Sequence, residues 1–336
     1  MKKYFFLFPT CVPVKGFSRS TVCNLQIEHF EFIPNILYEI LVEHKKKSIE
    51  DIITIYGQDN RDYIIEYFDN LISKQMGFYT NDIANLIPIK YDYKDPFKIT
   101  NAIIDYDKNS NYDISKVILQ LNDLFCPNIE LRLYSYFDFE KISQFLSETI
   151  DSPIRSITLY VAYGDSNSEP QKIKKFLKFN KRVKKIIIHS SPFENKLYHV
   201  AGIDTYITCT NEIIDSEQCC GNVSPSYFTP NIHFFTETQV ANSCLNKKVS
   251  IDKEGNIKNC PSMAFSYGNT ENKSVLECID SSNFKELWSI TKDQISVCKD
   301  CEFRYICHDC RAYRQNESLH SKPLKCKYNP YEAIWE

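Results

Sequence analysis

Glycine is scarce in this chain. Its 336 residues include 8 glycines, roughly a third of the ~7% found in average proteins. They stand at positions 16, 57, 77, 164, 202, 221, 255 and 268, never within ten residues of one another. A G-x-G-x-x-G dinucleotide turn and a P-loop both need closely spaced glycines so that backbone can touch phosphate. Rossmann and P-loop architectures are therefore excluded. A charge excess of one sign is also missing: the net charge of −3 offers no global attraction for nucleic acid. No apolar run approaches the ~18 residues of a membrane-spanning helix. The opening MKKYFFLFPTCVPV resembles a signal peptide only superficially, because the run Tyr4–Phe8 stops at Pro9, short of the roughly 7–15 residues of an h-region. A first β-strand and a reducing cytoplasm are the expectations, and disulfides are rare there.

What is abundant is cysteine, 14 in all, within a chain that is 43% hydrophobic and 25% charged. That balance belongs to a globular protein with ample core, and the length suggests two or three domains. Metal is the leading reason for so many cysteines in a reducing compartment.

Three segments emerge. Residues 1–85 begin with short β-type runs, Tyr4–Phe8, Ser20–Ile27 and His29–Ile33. A helix carrying Ile36, Leu37, Ile40 and Leu41 follows Pro34. Ser48 and Asp51 make a capping-box start for a second helix with Ile52, Ile53 and Tyr56. The stripe Ile64, Ile65, Phe68, Leu71 and Ile72 marks a third, which Gly77 is placed to end. Three strands followed by three helices approach a winged-helix topology. Residues 86–96, with Pro88 and Pro96, read as a linker. From 97 to 235 the chain reads as a partial β/α barrel. Apolar β-branched runs at Ile99–Ile104, Ile129–Leu133, Ile154–Val161, Val183–Ile188 and Ile203–Thr208 alternate with helical patterns at Ile114–Phe125, Phe139–Thr149 and Gln171–Phe179. This is α/β alternation with a parallel sheet, too few units for a closed eight-fold barrel. Lys172, Lys174, Lys175, Lys178, Lys181, Arg182, Lys184 and Lys185 form a basic run, read first as a solvated helix face and otherwise as a docking patch for acidic peptide.

Residues 240–336 hold the chemistry. Cys244 is followed by ten residues, Gly255, four residues and Cys260. Downstream, Cys298, Cys301, Cys307 and Cys310 make C-x₂-C-x₅-C-x₂-C, and Cys326 closes the set. Closely spaced thiolates can converge on one centre, with the remaining ligands returning from elsewhere in the chain. Seven cysteines exceed the four of a single centre and suggest two sets. Iron–sulfur and structural zinc both use such ligands, although five residues between Cys301 and Cys307 is short for paired zinc knuckles. Cys11, Cys23, Cys126 and Cys209 read as buried apolar residues. No Ser–His–Asp set or H-E-x-x-H is recognisable from spacing, and His199, His308 and His320 read as surface or structural residues.

The pattern C-x₁₀-G-x₄-C … C-x₂-C-x₅-C-x₂-C … C resembles a SPASM domain, the auxiliary iron–sulfur module of peptide-modifying radical SAM enzymes. The family usually has three residues between the last two cysteines of the compact run; here there are two, His308 and Asp309. By position, the resemblance implies that Cys298, Cys301, Cys307 and Cys326 hold an outer cluster and that Cys244, Cys260 and Cys310 hold three corners of an inner one. One or two [4Fe–4S] clusters are implied, with zinc the alternative. A further cysteine before position 244 is replaced by FFTETQVANS. The inner set is thus one ligand short; Cys278, the Cys219–Cys220 pair, His233 or a bound peptide are candidates to complete it, or it is open or empty. The C-x₃-C-x₂-C motif of radical SAM enzymes is missing from IDYDKNSNYDISKVILQLNDLFC, and NIELRLYSYFDFE lacks their glycine-rich turn. Residues 1–85, through G-F-S-R-S-T, I-P-N-I-L-Y-E-I-L and the long third helix, resemble the precursor-peptide recognition element of enzymes that modify ribosomally made peptides. Together the three segments resemble the SPASM-domain peptide maturase of grasp-with-spasm systems. That resemblance implies a leader peptide bound at residues 1–85, an ATP-grasp ligase as partner, and no radical SAM chemistry.

Overall fold

The computed structural model describes residues 2–83, 89–193, 196–198 and 205–336. Residues 86–88 of the expected linker, Ile203 at the start of the last apolar run, and His199 lie outside the described residues. The chain divides into two compact units: Met1–Lys94 with Asn222–Cys244 and Ser289–Glu336, and Asp95–Gly221 with Leu245–Trp288.

In the first unit β1 (Tyr4–Leu7), β2 (Cys11–Val14), β3 (Ser20–Asn24) and β4 (His29–Ile33) lead into α1 (Asn35–Glu43), α2 (Ile49–Tyr56) and α3 (Arg61–Ser73), then β5 (Gly77–Thr80). Strands β2, β3 and β4 form one antiparallel sheet and β1 pairs with β5 in another. The α2 start is the capping box that the spacing predicts: Asp51 N donates to Ser48 Oγ at 3.2 Å, and Ser48 N to Asp51 Oδ2 at 3.4 Å. The apolar stripes of the three helices meet β1 in one core, where Phe5 stacks on Phe68 with centroids 4.3 Å apart.

Two local expectations change. β2 lies outside the expected runs and carries Pro13; among the described residues it pairs only with β3, an edge position that tolerates proline. Gly77 does not end α3. That helix stops at Ser73, the chain turns through Gln75 at φ 56°, and Gly77 begins β5. A Cβ at Gly77 would lie 2.5 Å from the Phe5 ring, so glycine here serves close strand approach.

The C-terminal part of the unit is mostly turns. It packs on the N-terminal sheet in a second core where Val14, Cys23 and Leu25 meet Phe303, Ile306 and Tyr328. A buried carboxylate joins the two: Glu302 Oε1 accepts from Arg19 Nε at 2.7 Å and from Tyr328 Oη at 2.5 Å, while Thr21 Oγ1 donates to the Glu302 carbonyl at 3.1 Å.

The second unit is built on a mostly parallel sheet. Its strands are β6 (Asn101–Tyr106), β7 (Asn128–Leu133), β8 (Ser156–Ala162), β9 (Val183–His189), β10 (Lys196–Tyr198), β11 (Tyr206–Cys209), β12 (Lys248–Ile251), β13 (Asn256–Lys258) and β14 (Gly268–Asn269). Among the described residues their order is β10-β11-β9-β8-β7-β6-β12-β13-β14, parallel from β11 to β12. This is the α/β alternation that the apolar runs predict. Alternate residues such as Ile104, Leu131, Leu159 and Ile186 enter a core with α4 (Ile114–Asp123), α5 (Phe139–Phe145) and α6 (Pro170–Phe179). The opposite face carries polar side chains, among them Asp105, Arg132 and His189. In the basic run Lys172 pairs with Glu169 at 2.8 Å, and both remain about half exposed, as on a solvated helix face.

Candidate functional site

The outer cysteine set lies entirely in the first unit. Cys298, Cys301 and Cys307 come from a short turn-rich run, and Cys326 follows a turn closed by its N–H on the Pro323 carbonyl. The charges of Cys298, Cys301 and Cys307 act on one another, and Cys326 acts on Cys298 and Cys307. Burial pushes the Cys298 thiol up to about 12, opposed by the charge of Lys292. Burial likewise raises Cys301 and Cys307. The raised thiols favour the protonated state until an electrophile takes the proton's place.

Lys292 is the unusual neighbour. It is only 4% exposed, and its Nζ donates to Cys307 Sγ at 3.3 Å and to the His308 carbonyl at 3.1 Å. Burial alone would drive the ammonium toward neutrality, but the charges of Cys307, Cys298 and Asp309 hold its pKa up. Asp309 is itself bound by Arg311, Nη2 to Oδ1 at 2.8 Å, and by Asn242 Nδ2 at 2.7 Å.

The remaining predicted ligands belong to both units. Cys310 and Cys244 both belong to the first unit; burial raises the Cys310 thiol, Tyr313 N–H donates to its sulfur at 3.5 Å, and the Cys244 charge acts on it. Cys260 belongs to the second unit, buried just beyond β13. Cys278 is in that unit's apolar core, and Cys219 and Cys220 are exposed there. His233 packs edge-on against Tyr93 at 5.4 Å. Among the described residues, no three His, Cys, Asp or Glu side chains are grouped as a single metal ion requires. Cys11, Cys23, Cys126 and Cys209 are buried, as expected.

A second polar centre, absent from the sequence reading, sits at the C-terminal ends of the parallel strands. Asp105 of β6 stands in register with Arg132 of β7. Arg132 grips the carboxylate through Nε to Oδ1 at 2.6 Å and Nη2 to Oδ2 at 2.9 Å, and Tyr134 Oη donates to Oδ2 at 2.8 Å. Burial pushes the Asp105 carboxyl up to about 6 against the pull of Arg132. Beside it, His189 at the end of β9 bonds through Nε2 to the Leu133 carbonyl at 3.1 Å. The available signal was a charged residue inside each apolar run, NAIIDY and NIELRL; only strand register pairs them.

No family model and no curated protein matches the sequence. Among solved structures, the chain is similar to Streptococcus suis SuiB bound to S-adenosylmethionine, at TM-score 0.40 and 11% identity. It is also similar to SuiB alone, at 0.34 and 9%, and to SuiB bound to the precursor peptide SuiA, at 0.30 and 10%. Each comparison covers 95% of this chain and 98% of the other. TM-scores below 0.5 at identities near 10% establish neither a common fold nor a common activity.

Proposed function

We propose that this protein is a maturation partner in the biosynthesis of a ribosomally made, modified peptide. The winged-helix-like N-terminal region would bind the precursor's leader, a SPASM-type cysteine region would hold an iron–sulfur cluster, and an ATP-grasp ligase would act on the bound peptide. The observation that carries this reading is the packing of three of the four outer cysteines against the N-terminal sheet: Cys301, Cys307 and Cys326 share a core with Cys23 and Phe30.

The donor chemistry suits such a cluster. Cys298 and Cys307 each act on Cys301, Cys326 acts on Cys298 and Cys307, and a buried ammonium offsets the negative charge that metallation would bring. Cys298, Cys301, Cys307 and Cys326 would be its ligands. When bound, the cluster would supply a rigid cross-link between the turns and an electron-accepting centre. Lys292 would donate to the Cys307 sulfur, and Asp309, fixed by Arg311, would hold the ammonium in place.

For the peptide, among the described residues β1 pairs with β5 at one edge and with no strand at the other. A cavity of about 460 Å³ lined by Phe5, Phe8, Ile40, Leu41 and Phe68 lies beside it, with Lys45 and Lys46 at its wall. An extended leader adding along that edge would seat alternate apolar side chains in the cavity and turn carboxylates to the lysines. Anaerobic purification followed by iron, zinc and sulfide analysis tests the metal region. Iron with sulfide, lost together with the folded C-terminal region in Cys301→Ala and Cys307→Ala, supports the reading. Zinc without sulfide would instead leave an adaptor stabilised by zinc.

A further inference from the structure

The end of β9 carries an arrangement that the cysteine region and the peptide groove do not use. His189 is buried and Ser190, the next residue, is exposed. The Leu133 carbonyl can only accept, so His189 Nε2 must carry the proton that fills their 3.1 Å bond. In the neutral ring this leaves Nδ1 as an acceptor, 3.1 Å from Ser190 Oγ. The serine hydroxyl therefore donates to a histidine whose tautomer a third group fixes, the relation of an activated nucleophile to its base. Desolvation lowers the His189 pKa, against the Leu133 bond and the charge of Asp215, which keeps the ring neutral near pH 7.

The backbone holds this pair firmly. Tyr163 N–H donates to the His189 carbonyl at 2.8 Å, Ser190 N–H to the Glu212 carbonyl at 2.8 Å, and Ser191 N–H to the Thr210 carbonyl at 2.9 Å. Between these anchors Ser190 adopts φ 54°, a left-handed conformation uncommon for serine. The pair also sits at the carboxyl end of a parallel strand, where open α/β sheets bind their ligands. Tyr163, whose N–H donates to the His189 carbonyl, meets Phe193 edge to face at 6.3 Å, and Phe193 is half-exposed.

We propose that Ser190 and His189 form a nucleophile–base pair for acyl transfer, taking an ester or thioester whose acyl group is apolar enough to rest on Tyr163 and Phe193. Ser190 Oγ adds to the carbonyl carbon as its proton passes to His189 Nδ1. The bond to the leaving alcohol or thiol then breaks, and that group departs with the proton from the imidazolium. Water cleaves the acyl-serine by the same route, releasing the carboxylic acid and restoring the hydroxyl.

The test uses the full-length protein, an alkyl fluorophosphonate and p-nitrophenyl butyrate. The expected result is one phosphonate per chain by intact mass, mapped to Ser190, and a p-nitrophenol burst close to one equivalent. Ser190→Ala should lose both. His189→Gln, which can still bond the Leu133 carbonyl, should label at least about 100-fold more slowly, the scale of general-base assistance. Ser147→Ala, at an exposed serine remote in sequence from the pair, should label like the wild type, and circular dichroism verifies that each variant is folded. Absence of label from the folded wild type, label on another residue, or undiminished labelling of His189→Gln would overturn the proposal. Each outcome is independent of metal content and of leader binding.

Discussion

Replacing Arg132 by methionine probes the polar centre of the second unit most directly. Methionine keeps the long stem but removes the guanidinium, leaving the Asp105 carboxylate, 1% exposed, with Tyr134 as its remaining side-chain donor. Breaking one side of a buried pair typically costs ~3–5 kcal/mol because an uncompensated charge is left inside. With a urea m-value of ~2 kcal/mol per molar for a unit of this size, the unfolding midpoint should fall by about 1.5–2.5 M at pH 8. The chain has two tryptophans, and Trp288 belongs to this unit while Trp335 belongs to the other. A Trp335→Phe background therefore makes Trp288 fluorescence a local reporter; its Nε1 donates to Asn259 Oδ1 at 2.9 Å, and its ring packs on the core.

The pH dependence has a defined sign. Asp105 titrates at about 6 in the folded protein with Arg132 present, above the ~3.9 of an unfolded aspartate, and higher still without the guanidinium. A carboxyl whose folded pKa is raised stabilises the fold fully below its unfolded pKa. That contribution is lost as pH rises through the folded value. The midpoint deficit of Arg132→Met should accordingly shrink between pH 8 and pH 5. A shift below ~0.5 M at pH 8, or one of equal size at both pH values, would refute the reasoning.

Other expectations concern the first unit, read through Trp335 in a Trp288→Phe background. Phe68→Ala removes a buried ring stacked on Phe5 and should destabilise the unit by ~3–5 kcal/mol, seen as a lower urea midpoint. Gly16→Ala places a Cβ 2.3 Å from the Arg19 carbonyl and 2.8 Å from Glu302 Cβ. It should lower the thermal midpoint by several degrees and loosen the Arg19–Glu302 link, with faster amide exchange around residues 16–20 as the measurement. Ser48→Ala removes half of the capping box and should cost ~1 kcal/mol, detected by the same denaturation.

The sequence was most legible where one periodicity acts alone. The stripes of α1 to α3, the capping box at Ser48 and the near-continuous apolar strands β6 to β9 all follow from local pattern. Pattern failed where a residue answers to a partner far along the chain. Pro13 is tolerable because, among the described residues, β2 has a strand neighbour on one side only, and Gly77 is required by Phe5, seventy-two residues earlier. The Asp105–Arg132 pair spans adjacent parallel strands, and the His189–Ser190 relation depends on the Leu133 carbonyl. Neither has a spacing signature. The cysteine run was legible as a donor set, but its burial around Lys292 was not, because Lys292 lies outside the motif.

The interleaving of the first unit constrains how the protein can be made. Val14, Cys23 and Leu25 leave the ribosome long before their core partners Phe303, Ile306 and Tyr328. Such contacts close a very long loop between Leu25 and Phe303, a slow step for any folding nucleus. One apolar face of the nascent sheet must wait, uncovered, until the residues between these partners have been made. Synthesis speed and chaperone capture during that interval, more than final stability, should set the yield of folded protein.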